Sequence, residues 1–224
     1  MPLPADFMPF LRELQAHNER PWFEANRKRY EANRDAMLQL LVDLAPRVRA
    51  LAPHVVVDPR PQGGSLMRIF RDVRFSKDKS PYKPAFAAQF WHEAGGEGAA
   101  PAFYLRLAPG SSAVGGGLWR PEASAVARIR QAIADKPAAW AHAVGEASRA
   151  SACGMAGESL KKPPAGFDPH HPFIADIMRK DFALSSPLTD AEVQGADLES
   201  LILARLAQTA PFVRFLSEAL GLPV

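Results

Sequence analysis

The chain has 224 residues and a mass of 24.4 kDa, enough for one large or two small domains with a sizeable core. With 47% hydrophobic and 23% charged residues it excludes a disordered, collagen-like or acidic-tail protein, and its one cysteine, Cys153, excludes a disulfide framework or a multi-cysteine metal centre. A net charge of +3 is too mild to demand a nucleic-acid partner but permits an anionic one.

A lone thiol fits a reducing compartment, so the expected location is cytoplasmic. No run reaches the roughly 18 apolar residues of a spanning helix, and Asp6 stands where a basic leader would begin, so neither export nor a membrane partner is expected.

Asp6 is placed to cap a first helix whose Phe7, Phe10, Leu11 and Leu14 recur at helical spacing. Pro21 suits the first turn of a second, where Trp22, Phe23, Asn26 and Tyr30 share a stripe. The stripe continues through Met37, Leu40, Leu41, Leu44, Val48 and Leu51 to Pro53, in one long helix or two. From Val55 the pattern changes to short runs bounded by Pro and Gly, and strands are predicted over 55–57, 66–70, 85–92, 103–108 and 112–118. Within the fourth, Phe103, Leu105 and Leu107 alternate with Tyr104 and Arg106, the period of a sheet with one covered and one more polar face. Pro109-Gly110 is short enough for a hairpin, and 93–101 reads as a Gly/Ala loop.

Helical spacing returns at Val126, Ile129 and Ile133 and around Trp140 and Val144. A Pro-rich connector over 161–171 precedes a helix near Pro172. Thr189 and Glu192 form a capping-box pattern before Leu198, Leu201, Ile202 and Leu206, and Pro211 is expected to open a last helix carrying Phe212, Phe215, Leu216 and Leu220. Strands in the middle and helices at both ends predict an α+β fold, a central antiparallel sheet flanked by N-terminal and C-terminal helices. The only candidate boundary lies between 150 and 157, and a single domain over 1–224 is preferred.

The segment 68–83 carries six basic residues, Arg68, Arg71, Arg74, Lys77, Lys79 and Lys83, against Asp72 and Asp78. Its net +4 exceeds that of the whole chain, so positive potential is concentrated there. Guanidinium forks match carboxylate or phosphate oxygens, and lysines add hydrated point charges, which together suit an anion. If 66–71 is a strand, Arg68 shares a face with Leu66 and Phe70 and needs a partner should that face be covered. Asp72 is the candidate to orient Arg71 or Arg74, and 76–84 reads as a loop because Pro81 and Pro84 restrict it.

The same segment resembles the signature of a mainly bacterial family, domain of unknown function 2461, whose pattern R-x-x-R-D-x-R-F-x-x-D/N-K-x-x-Y is matched by Arg68, Arg71, Asp72, Arg74, Phe75, Asp78, Lys79 and Tyr82. The likeness extends to Asn18, Trp22 and Phe23, to Tyr104-Leu105, to Gly115, Gly116 and Gly117 before Trp119-Arg120-Pro121, and to 166–172. It covers nearly the whole chain. It implies a one-domain protein and the same choice of site, and brings no activity.

The leading expectation is binding, with or without chemistry, of a phosphate-bearing or other anionic small molecule. Arg68, Arg71, Arg74, Lys77 and Lys83 would hold the anion, Asp72, Lys79 and Tyr82 could move a proton, and Tyr104, Gly116 and Trp119 are candidate second walls. A nucleic-acid-binding module that adds Arg27, Lys28 and Arg29 is the alternative, and a non-catalytic scaffold the second. The glycine triplet matches neither a P-loop nor a dinucleotide fingerprint and reads as a bulge or bend in an edge strand. His170, His171 and Asp168 read as residues capping or preceding a helix, so no metal is expected. No cofactor or oligomeric state is indicated.

Overall fold

The computed structural model describes residues 2–95, 99–149 and 153–224. Helices α1 (Phe7–Ala16), α2 (Arg20–Ala25) and α3 (Arg27–Leu51) precede strands β1 (Val55–Val56), β2 (Phe86–His92), β3 (Ala102–Leu107) and β4 (Ser112–Leu118). Then follow α4 (Ala123–Asp135), α5 (Pro137–Arg149), β5 (Gly154–Ala156), α6 (Ile174–Ile177), β6 (Phe182–Leu188), α7 (Asp190–Gln194) and α8 (Leu198–Ala219). The fold is α+β, with a six-stranded antiparallel sheet in the order β1-β2-β3-β4-β6-β5 and helices at both ends of the chain. The predicted 93–101 loop and the candidate boundary at 150–157 both fall partly outside the described residues.

One sheet face carries Phe86, Ala88, Phe90, Phe103, Leu105, Leu107, Val114, Leu118, Phe182, Leu184 and Leu188, all buried. Those on β2 and β3, with Val114 and Leu188, join α1, α3, α7 and α8 as far as Val213 in one apolar cluster. Leu118, Phe182 and Leu184 join α4, α5, α6 and the end of α8 in a second. Each large side chain buried this way contributes about 1.5–3 kcal/mol, which anchors the sheet to its helical layer. The capping box forms as predicted, Thr189 Oγ1 accepting from the Glu192 N–H and Glu192 accepting from the Thr189 N–H.

Several expectations are corrected. Asp6 makes no capping hydrogen bond, because its carboxylate takes the Arg29 guanidinium at 2.6 Å. Of the two alternatives left open for the stripe from Pro21 to Pro53, the chain forms two helices, with Asn26 dividing α2 from α3 and its side-chain amide donating to the Trp22 carbonyl. Pro211 lies inside α8 rather than opening a new helix, since burial of Phe212, Val213 and Phe215 beside it offsets the ~3 kcal/mol cost of an interior proline. The 66–70 segment is no continuous strand: Leu66 bridges Ala88 and Phe70 bridges Tyr82, with the chain leaving the sheet between them. Strands β5 and β6 were not anticipated. Finally, the glycine triplet occupies a central strand, with β3 on one side and β6 on the other, not an edge.

Candidate functional site: an uncovered sheet face

Register sets the composition of the face opposite the helices. Ala87, Arg106, Ala113 and Pro187 form one cross-strand row, and Gln89, Tyr104, Gly115 and Ser185 the next. Ala102, Gly117, Ala183 and Ala156 form a third. Ala, Gly and Ser dominate these positions, so little projects from the sheet. Above them opens a cleft of about 490 Å³, walled by Met67 from the segment beside β2 and by Trp119 from the end of β4.

Tyr104 forms the floor of the cleft. Its ring lies against Gly115, where an added Cβ would sit 2.6 Å from Tyr104 Cε1 and 2.1 Å from the Leu184 carbonyl oxygen. The hydroxyl donates to that carbonyl at 3.4 Å, and burial raises its pKa above the ordinary value. The cross-strand tyrosine thus fills the space that glycine leaves, as aromatic residues do over glycines in sheets. Gly117, at φ +140°, approaches the Phe182 carbonyl too closely for any side chain. Gly116 was expected to wall the site, but it faces the opposite side, against Phe103 and Val213 of the core. Among the described residues Arg106 makes no ion pair, so the cleft holds a guanidinium without an acid.

The basic segment lies elsewhere. It leaves the sheet after Met67, whose N–H bonds the Ala87 carbonyl, and closes on itself where the Arg71 N–H meets Pro81 and the Lys83 N–H meets Ile69. Arg71 pairs with Asp78, and Arg74 pairs with Asp72 at 2.6 Å. Asp78 is held well below the usual carboxylate range by the Ser80 hydroxyl and N–H and by Arg71; Asp72 is lowered by Arg74. Neither acid has the raised pKa that a general acid needs near neutrality. Lys79 Nζ donates to the Val73 carbonyl at 3.0 Å.

Arg68, expected to need a partner, is exposed, and among the described residues neither it nor Lys77 nor Lys83 has an ion-pair partner. Tyr82 is 3% exposed, not poised for proton transfer in an open site. It stacks on Phe23 with centroids 4.1 Å apart, and its backbone N–H and carbonyl are clamped by the Asn18 amide. Of the positions expected at the site, Tyr104 and Trp119 meet in the cleft; the segment adds Met67. Arg106, Gln89 and Ser185 were missed. The signal for Arg106 was its alternation with Phe103, Leu105 and Leu107.

On α2 and α3, Arg27 is paired with Glu24, and Arg29 with Asp6 and Glu13, leaving Lys28 as the unpaired cation of that trio among the described residues. His171 Nδ1 accepts from the Phe173 N–H and Asp168 from the His170 N–H, so this motif shapes the approach to α6. Among the described residues no three His, Cys, Asp or Glu side chains could hold a metal ion. Burial raises the Cys153 thiol pKa, which keeps it protonated. No described helix is long and apolar enough to cross a membrane.

No curated protein and no solved structure matches the chain. The model of one family, a conserved hypothetical protein, covers residues 6–215, spanning all but the extreme ends and including every element that builds the cleft. The chain therefore belongs to the family of domain of unknown function 2461.

Proposed function

We propose that this protein binds a small organic anion with a flat apolar body, laid across the uncovered sheet face with its charged group on Arg106. The observation that carries this reading is the pairing of a floor of small residues with one guanidinium that has no acid partner among the described residues. A cleft of about 490 Å³ falls within the 300–1,000 Å³ typical of small-molecule sites. Tyr104 and Trp119 offer aromatic surface, while Gln89 and Ser185 supply hydrogen-bonding groups within an otherwise apolar lining. The basic loop contributes a wall through Met67, but none of its cations lines the cleft, which leaves Arg106 as the cation placed to select for charge.

The test uses anilinonaphthalene sulfonate, a planar anion that fluoresces when desolvated, beside the neutral dye phenylnaphthylamine. Both should bind the native protein, and Ser185→Trp, which fills the cleft, should abolish both signals. Arg106→Gln should weaken the sulfonate about ten- to a hundredfold, the loss of a hydrogen bond to a charged group worth ~1.5–3 kcal/mol, and leave the neutral dye unchanged. Equal affinity of parent and Arg106→Gln for the sulfonate would overturn the reading. So would absence of dye binding together with salt-sensitive capture of single-stranded DNA or RNA, which would move the function to the 68–83 loop.

A further inference from the structure

On the far side of Trp119 from the cleft lies a second hollow of about 430 Å³, between the turn joining β4 to α4 and the start of β6. We propose that it is a separate anion site, built for the phosphoryl group of a phosphomonoester. Charge accounting carries the proposal. Three cations line the hollow, Arg120, Arg130 and Lys180, with two acids, Glu158 and Asp181. Lys180 is paired with Glu158 at 3.0 Å.

Asp181 is 5% exposed, and its two oxygens accept the backbone N–H groups of Arg120 and Glu158, both at 2.9 Å. Both of its oxygens are committed to stapling the walls, while its charge stays in the lining, where three cations and two acids leave a net +1. Arg120 and Arg130 are left facing one hollow without an acid partner among the described residues.

The two arginines are held there at a cost. Arg120 is the one non-glycine with positive φ among the described residues, at +48°, a conformation about 1–2 kcal/mol unfavourable for a residue with a Cβ. Its N–H bond to Asp181 fixes it in that turn. Arg130 donates from Nη2 to the Arg179 carbonyl, but its Nε is buried with no hydrogen-bond partner, and desolvation lowers its pKa. A half-buried guanidinium with no ion pair among the described residues, in a hollow whose lining carries net positive charge, is an arrangement that a bound dianion would relieve. Backbone strain clusters at ligand sites, and a buried donor without a partner calls for an explanation that a ligand-binding hollow supplies. The hollow exceeds what a bare phosphate fills, and the exposed Trp119 ring on its rim suits the organic body of an ester.

Isothermal titration of the full chain with inorganic phosphate and with phenyl phosphate tests this. Both should bind, phenyl phosphate more tightly. Arg130→Gln should weaken both about tenfold or more, and Arg120→Gln, an exposed position where folding is not at risk, should do the same. Arg128→Gln removes equal charge from α4 outside the hollow and should change neither. No binding at millimolar concentration, or equal weakening by Arg128→Gln, overturns the proposal. A loss seen in Arg106→Gln but not in either hollow variant also overturns it, by placing the phosphate in the cleft, while the reading of the cleft itself stands.

Discussion

Gly115→Ala is the sharpest single test of the sheet geometry. The new methyl would sit 2.1 Å from the Leu184 carbonyl oxygen and 2.6–2.7 Å from Cε1 and Cζ of Tyr104. The tyrosine ring can swing outward, but Leu184 belongs to the β4–β6 ladder and moves only with its strand. Overpacking of a tight site costs typically about 1–3 kcal/mol, and a backbone obstacle places this one at the upper end, at ~2–3 kcal/mol. For a chain of this size that lowers Tm by about 4–12 °C. Urea denaturation should show a lower midpoint with an unchanged slope, since native and unfolded surfaces hardly differ. The displaced Tyr104 ring should also enter the cleft and weaken dye binding. Gly145→Ala is the opposite-sign control: it lies in α5 with nothing within 4 Å of its added Cβ among the described residues, and should stabilise by up to ~1 kcal/mol. A loss below ~0.5 kcal/mol for Gly115→Ala would refute the close approach of β4 to β6 and Tyr104 on which the shape of the cleft rests.

Two further outcomes bear on the basic loop. Tyr82→Phe should leave stability within ~0.5 kcal/mol, because the hydroxyl has no hydrogen-bond partner among the described residues, whereas Tyr82→Ala should cost about 3–5 kcal/mol by removing the ring stacked on Phe23; calorimetry of the pair separates a packing role from a polar one. Asp78 should titrate below its ordinary 3.8 in a carbon-detected NMR titration, because Ser80 and Arg71 favour its ionised form. A depressed folded pKa means that the stabilisation is fully present above that ordinary value and is lost as pH falls through the lower folded one, so loop resonances should hold their positions down through pH 3.8 and shift only below it. A midpoint at or above 3.8 would show that the Arg71 and Ser80 contacts do not form in solution.

The sheet was legible where its signals were local. Alternating Phe103, Leu105 and Leu107, with Pro109-Gly110 after them, identify β3 and the turn to β4 without reference to the rest of the chain. Strand β6 was hidden because its core alternation of Phe182, Leu184 and Leu188 is broken by Ser186. Pro187 reads as a breaker, although the strand accommodates it opposite Ala113. The cleft was hidden for a related reason: its positions are Ala, Gly and Ser, the residues least able to announce a face. The charge of the 68–83 segment was plain, but the use of that charge was not, since the pairing of Asp72 with Arg74 and of Asp78 with Arg71 depends on how the loop folds back on itself. Asp6 shows the same limit, a good cap by type and position that a distant arginine captures instead.

What unites the cleft is a choice of residues that sheet stability alone would disfavour. An antiparallel sheet with one free face usually covers it with Thr and other polar side chains. Here the free face carries Ala87, Ala102, Ala113, Gly115, Gly117, Ala183 and Ser185. Glycine within a strand costs roughly 0.5–1 kcal/mol relative to alanine, and alanine is itself a weak strand former. Tyr104 recovers part of that loss at Gly115, whereas Gly117 and Ala183 line the cleft without a large side chain of their own. Clearance is what these substitutions provide. Along β3 the clear floor runs from Ala102 to Arg106, about 14 Å at 3.4 Å per residue, with an aromatic wall at one end and a cation at the other. That length and polarity fit a molecule of two or three fused or linked rings bearing its negative charge at one end, which is why the sulfonate dye, rather than a small inorganic anion, is the right probe for this face.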